Sequence, residues 1–81
     1  MQIVQLQELR RHPKDDAWLR QLFSAKAAQQ GGIVRRAVRD VEREIGRDRF
    51  VAAVAARNYH LLECADQFIV ICRTDHLTVH R

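Results

Sequence analysis

The chain has 81 residues, of which 47% are hydrophobic and 30% charged, and its formal net charge is +4 at pH 7. This length allows one domain, residues 1–81, which buries only about 60–65% of the surface that the unfolded chain exposes. The hydrophobic content argues against wholesale disorder, no apolar run reaches the roughly 18 residues of a membrane span, and the polar start lacks a signal-peptide layout, so we expect a cytoplasmic protein with no membrane partner.

The N-terminal part of the chain predicts one long helix over residues 13–30. Pro13 suits the first helical position, and Gly31-Gly32 provides the left-handed geometry that ends a helix. Four large apolar residues recur at helical spacing and form one face: Trp18, Leu19, Leu22 and Phe23. Of these, Trp18 and Phe23 are expected to anchor the core. Within the preceding N-terminal segment, residues 1–12, the stretch from Ile3 to Leu9 fits a short helix or an edge strand, and its periodicity does not decide between them.

The middle of the chain predicts a short extended piece at 33–36 and two further helices. Val38, Val41 and Ile45 have the spacing of a helical stripe, which favours a helix over 37–45, although their β-branched side chains leave a strand over 33–45 as the alternative. Gly46 ends that helix. Asp48 is expected to cap the next one, over 48–58, and Asn58 to close it.

The C-terminal part, residues 59–81, predicts a β-hairpin followed by a terminal strand over 76–80. With Ala65-Asp66 at the tip, Leu62 would face Ile69 and His60 would face Ile71. Both faces of such a hairpin are largely apolar, so each needs a cover. The helices cover one face, and either the N-terminal segment or a second subunit must cover the other, which favours a homodimer.

The order of these elements resembles a winged helix-turn-helix domain. The resemblance is carried by VRDVEREIGRDRFVAAV, residues 38–54, with the helix-turn-helix at 37–58 inside a helical part at 13–58. It implies a small α+β fold of three helices plus a C-terminal β-hairpin and terminal strand. It also implies that the second helix of the pair enters the major groove of DNA and that the hairpin is the wing.

The same region is rich in arginine, since residues 31–58 carry seven arginines against four acids. Arginine binds phosphate or guanine with two hydrogen bonds, so we expect a non-catalytic regulator or accessory protein that binds duplex DNA mainly through its backbone. The expected nucleic-acid-binding residues are Arg35, Arg36, Arg39, Arg43, Arg47, Arg49 and Arg57.

Two features of this region favour a different function. The acids lie at helical spacing from the arginines, as in Arg36–Asp40, Arg39–Glu42 and Asp40–Arg43, so the surface could be a solvated, salt-bridged face. The second helix of the pair is also expected to expose Ala52, Ala53 and Ala56, which offer no hydrogen bonds to bases. The alternative is a protein-interaction module that associates through its apolar hairpin or binds an acidic protein.

The sequence from Phe50 onward is also similar to HicA-type toxins, in the runs FVAAVAARNYHLLE (50–63), QFIVIC (67–72) and LTVH (77–80). This resemblance implies messenger-RNA cleavage by a strand histidine. The family's small-residue–His step at the start of the second strand is replaced here by Gln67-Phe68, so a ribonuclease is the third hypothesis.

Neither the histidines nor the cysteines have the paired spacing of a metal site, and no glycine-rich phosphate loop or nucleophile motif is present. We therefore predict no metal, no cofactor and no catalytic residues. Cys64 and Cys72 are expected to be buried thiols that act as small hydrophobic residues.

Overall fold

The computed structural model describes residues 13–80 of the chain. The N-terminal segment 1–12, with its open choice between helix and edge strand, lies outside the described residues. Within them the protein is a small α+β domain with four helices and one three-stranded antiparallel sheet. In chain order the elements are α1 (Pro13–Phe23), α2 (Lys26–Gln29), β1 (Ile33–Ala37), α3 (Val38–Glu44), α4 (Arg47–Ala56), β2 (His60–Cys64) and β3 (Gln67–Ile71).

The predicted helix over 13–30 is wrong in one respect, because it is broken into α1 and α2. Ala25 adopts an extended conformation with ψ of 148°, and the hydroxyl of Ser24 donates to the carbonyl oxygen of Gln21. The helical start at Pro13 and the left-handed glycine Gly31, with φ of 73°, are as predicted. The break is the reason that the described residues contain four helices and not three.

The third strand of the sheet is also in a different place from the prediction. The strand order is β1-β3-β2, so residues 33–37 pair with the hairpin, and residues 76–80 form no strand. The predicted extended piece at 33–36 and the predicted helix over 37–45 are confirmed to within one residue, as a strand through Ala37 that passes directly into α3, and the alternative of a strand over 33–45 is wrong. The backbone N–H of Val38 donates to the carbonyl oxygen of Asp66 at 2.8 Å, which holds the start of α3 against the hairpin tip.

The predicted hairpin is confirmed with its register. Leu62 pairs with Ile69 and His60 with Ile71, on either side of a tip at Ala65-Asp66. Ala65 has a positive φ of 56°, which side-chain-bearing residues seldom adopt. The hairpin therefore keeps its tight turn without a glycine.

The helix pair turns at Gly46, which has φ of 87°. The predicted cap at Asp48 is wrong, because α4 begins at Arg47 and its N-cap is Gly46, which has no side chain to cap with. Asn58 does close the helix in the left-handed region, with φ of 59°. The turn between α3 and α4 is therefore made by backbone geometry alone.

The core lies between the helices and one face of the sheet. Phe50 is fully buried at its centre, with ring centroids 5.0 Å from Phe68 and 6.2 Å from Trp18. Phe23 packs beside Tyr59 at 5.9 Å. The prediction that Trp18 and Phe23 anchor the core is confirmed. The buried apolar residues are Leu19, Leu22, Phe23, Ala28, Val34, Val41, Ile45, Phe50, Val54, Phe68, Val70 and Cys72.

Candidate nucleic-acid interface

The first residue of α4, Arg47, is bound by side chains from other elements. Its guanidinium donates to both carboxylate oxygens of Glu63 on β2, at 2.7 and 3.3 Å, and to Glu42 on α3 at 3.3 Å. It also lies 5.2 Å from the ring centre of Phe68. The hydrogen bond from Arg47 holds the pKa of Glu63 below its ordinary value. Arg47 therefore joins the helix pair to the hairpin, and its hydrogen-bonding edge is occupied.

Three more of the predicted arginines are also engaged. Arg43 forms ion pairs with Asp40 at 3.2 Å and Glu44 at 3.4 Å, so the predicted Asp40–Arg43 pair is confirmed. Arg57 lies over Phe23, with 3.9 Å from its central carbon to the ring centre, and donates to a backbone carbonyl oxygen. Arg49 is half-buried on α4 and interacts with a neighbour. Each of these three side chains therefore makes contacts within its own chain.

The remaining arginines, Arg35, Arg36 and Arg39, lie where β1 passes into α3, and we call them the basic edge. None of them forms an ion pair within the described part of the chain, so the predicted Arg36–Asp40 and Arg39–Glu42 pairs do not form. Arg36 is on β1 and not on a helix, which removes the helical spacing, and Glu42 is held by Arg47.

The three side chains of the basic edge leave it in different directions. Alternation along β1 places Arg35 on the outer face of the sheet, opposite Ile69, and Arg36 on the helix-covered face. Arg36 lines a shallow pocket with Trp18, Gln21 and Leu22, and its guanidinium donates to the carbonyl oxygen of Arg35. Arg39 is exposed in the first turn of α3. The positive charge therefore surrounds the edge strand on both faces.

The exposed face of α4 is almost without polar groups. Val51 is 44% exposed, and Ala52, Ala55 and Ala56 are exposed beside it. The prediction that Ala53 is exposed is wrong, because it packs against the core. Asp48 adds a carboxylate to the first turn of this helix. This face offers methyl contacts to thymine but no donors to other base edges.

The outer face of the sheet, which none of the helices within residues 13–80 covers, is largely apolar. Its cross-strand rows are Ile33–Ile71–His60, Arg35–Ile69–Leu62 and Ala37–Gln67–Cys64. Ile33 is 48% exposed and Leu62 is 41% exposed. The prediction that both hairpin faces are largely apolar is confirmed.

The two cysteines differ in their surroundings. Cys72 is buried, as predicted, and burial raises the pKa of its thiol. Cys64 is exposed at the end of β2, so the prediction of a buried thiol is wrong there. Within residues 13–80 no cluster of histidine, cysteine and acidic side chains fits a metal ion. No helix of this part of the chain is long and apolar enough to span a bilayer.

Sequence reasoning missed the acids that engage Arg47. Glu42 is five residues from Arg47 and Glu63 is sixteen residues away, so neither has the helical spacing on which pairs were sought. The signal in the sequence was Glu63 itself, the one acid in a predicted strand that is mostly apolar.

Comparisons of the chain with protein-family models, with curated proteins and with solved structures return no match.

Proposed function

We propose that this protein binds nucleic acid, with duplex DNA as the favoured form, through phosphate contacts and without catalysing a reaction. The observation that carries the proposal is the basic edge. Within the described residues, no carboxylate forms an ion pair with Arg35, Arg36 or Arg39. A cluster of cations without acidic partners attracts a polyanion and releases its counterions on binding.

The architecture supports a winged helix-turn-helix version of this proposal. The strand before the helix pair is hydrogen-bonded to the hairpin, and α3 and α4 meet at a single left-handed glycine. In this proposal α4 faces the major groove, and the hairpin β2–β3 is the wing. The protein would act as a cytoplasmic regulator or accessory protein.

The chemistry of α4 defines the kind of recognition that we propose. A face of Val51, Ala52 and Ala55 provides little base readout, so affinity comes from phosphates and depends strongly on salt. Sequence preference then requires a second copy, whose half-site spacing adds the selectivity that one helix lacks. We therefore propose a homodimer as the binding form.

The test is fluorescence anisotropy of a labelled random-sequence duplex titrated at two salt concentrations. We expect the double variant Arg35→Ala/Arg39→Ala to weaken binding at least tenfold and to lower the salt dependence by about one unit for each phosphate contact removed. The matched control is Arg43→Ala, one helical turn from Arg39 but neutralised by Asp40 and Glu44. Equal losses in both variants, or no binding by the natural chain at low salt, would refute the proposal.

A second function is favoured by the exposed apolar side chains Ile33 and Leu62 on the outer face of the sheet. In this version the protein is an interaction module that binds another protein through that face or an acidic partner through the basic edge. Absence of duplex binding would favour it. A labelled RNA in the same titration tests the HicA-like hypothesis, for which we expect the RNA to stay intact.

A further inference from the structure

The two edges of the sheet differ in how they are protected. Edge strands leave backbone N–H and C=O groups unpaired, and charged side chains on the strand discourage pairing with another chain. The β1 edge carries Arg35 and Arg36. Strand β2 has one residue with a formal charge, Glu63, and its carboxylate is held by Arg47. This strand is exposed at Leu62, Glu63 and Cys64. Among the residues that the structure describes, the β2 edge is therefore open to a further strand.

The segment of residues 76–80 (HLTVH) has the pattern of a strand without a partner. Its apolar residues Leu77 and Val79 alternate with polar ones, as in a half-buried strand. None of its backbone groups forms a hydrogen bond within the described part of the chain. Val79 is 67% exposed, the highest exposure among the large apolar residues of that part. The segment therefore has the sequence pattern of a strand, but it pairs with no strand among the described residues.

The beginning of this segment lies beside the open edge. The carbonyl oxygen of Asp75 accepts a hydrogen bond from Nε2 of His60, the first residue of β2, at 2.6 Å. Asp75 is also held by Arg73 at 2.7 Å. Residues 73–75 therefore turn the chain toward β2 immediately before the segment starts.

The direction of the chain decides which copy of β2 the segment fits. β3 is antiparallel to β2 and ends beside His60. If the chain is linked only by residues 72–75, a strand beside β2 of the same chain would run parallel to β2. Parallel pairing is slightly less stable than antiparallel pairing. A second copy allows the antiparallel pairing, and reciprocal exchange of the two segments closes a twofold dimer.

We propose that residues 76–80 of each chain add as an antiparallel strand to the β2 edge of a second copy. In this dimer Leu77 and Val79 lie on the outer face, where one of them extends the row Arg35–Ile69–Leu62 and packs beside Leu62. The proposal rests on the self-association that is part of the proposed function. It does not depend on nucleic-acid binding, because the pairing uses backbone groups and apolar side chains.

Sedimentation equilibrium of the full chain, with reductant and without nucleic acid, tests this dimer. Two variants, Thr78→Pro and Val79→Pro, are measured separately, because alternate residues of a strand donate to the same neighbour and at least one proline must remove such a donor. We expect the dimer dissociation constant to rise at least tenfold in one of them. A chain that stays monomeric at all concentrations, or a dimer that neither proline weakens, would overturn the proposal.

The acceptor edge is tested by Leu62→Asp, with Val51→Asp as the matched control. The two side chains are similarly exposed, at 41% and 44%, but Val51 lies on α4. We expect Leu62→Asp to weaken the dimer at least tenfold and Val51→Asp to leave it unchanged, with circular dichroism showing that both variants are folded. Equal weakening by both substitutions would place the contact elsewhere and overturn the assignment to β2. Duplex titrations of Leu62→Asp and of the two proline variants show separately whether nucleic-acid binding fails, whereas Val51→Asp serves only in the dimer measurement because Val51 lies on the α4 face that is proposed to meet DNA.

Discussion

The role of each arginine depends on the groups that its guanidinium contacts. Arg47 and Arg39 are on neighbouring helices, yet Arg47 meets two carboxylates and an aromatic ring, whereas Arg39 forms no ion pair within the described residues. The bidentate contact with Glu63 uses the two-donor geometry that otherwise suits phosphate. Arg47 therefore positions the hairpin against the helix pair.

The Arg47–Glu63 pair makes stability depend on pH in a defined direction. Because the folded-state pKa of Glu63 lies below its unfolded value, the pair stabilises the fold above that unfolded value and loses its effect as pH falls through the folded pKa. We expect Glu63→Gln to lower the free energy of unfolding at pH 7. The difference from the natural chain should disappear in acid, below the folded pKa, in urea unfolding at a series of pH values.

Glu44→Gln is the control for that measurement. The Glu44 carboxylate is similarly exposed, but its one ion-pair partner among residues 13–80 is Arg43, the preceding residue on α3. We expect a smaller change in the free energy of unfolding at pH 7 than for Glu63→Gln. A Glu63→Gln effect that is the same at all pH values would show that the charge of Glu63 is not what stabilises the hairpin.

At the scale of elements, the sequence predicts best those turns and helix ends whose geometry depends on neighbouring residues. The hairpin register follows from alternating apolar residues around a short polar break, and Gly31 and Asn58 end helices where left-handed geometry was expected. The break after α1 has no such signal, and the β-branched pair Ile33-Val34 predicted an extended piece at 33–36 without its place in the sheet. Ser24 and Ala25 are ordinary helix residues, and β1 is defined by its pairing with β3, a distant segment.

The hairpin turn contains a conformational cost that one substitution removes. Ala65 is left-handed at φ of 56°, which costs an alanine about 1–2 kcal/mol. Glycine avoids that cost but loses about 0.5–1 kcal/mol more backbone entropy on folding. We expect Ala65→Gly to raise the free energy of unfolding by up to about 1.5 kcal/mol in urea unfolding.

The same substitution within a helix should act in the opposite direction. Ala55 is exposed on α4, where glycine costs about 1 kcal/mol relative to alanine. We expect Ala55→Gly to lower the free energy of unfolding by that amount. If Ala65→Gly were also destabilising, the left-handed conformation of the turn would not be a source of strain.

At the scale of the whole molecule, one core connects the elements. The rings of Trp18, Phe50 and Phe68 link α1, α4 and β3, and Val41 and Val54 complete the packing from the helix pair. The helical periodicity predicted much of this core from sequence. The basic edge was predicted only as part of a larger set of arginines, since the partners of Arg47 and Arg57 come from elements distant in sequence.

The connected core leads us to expect that helices and hairpin unfold in one transition. Val54 is fully buried on α4, and truncation to alanine removes two methyl groups and leaves a cavity, which we expect to lower the free energy of unfolding by about 2–3 kcal/mol. Val51, 44% exposed on the same helix, is the control: Val51→Ala should change it by less than about 0.5 kcal/mol. Far-ultraviolet circular dichroism reports the helices, and Trp18 fluorescence reports the core beside Phe50. Coincident midpoints that shift together in Val54→Ala would establish a single cooperative domain, whereas a fluorescence transition that shifts without the helical one would show that the helices are stabilised independently of this core.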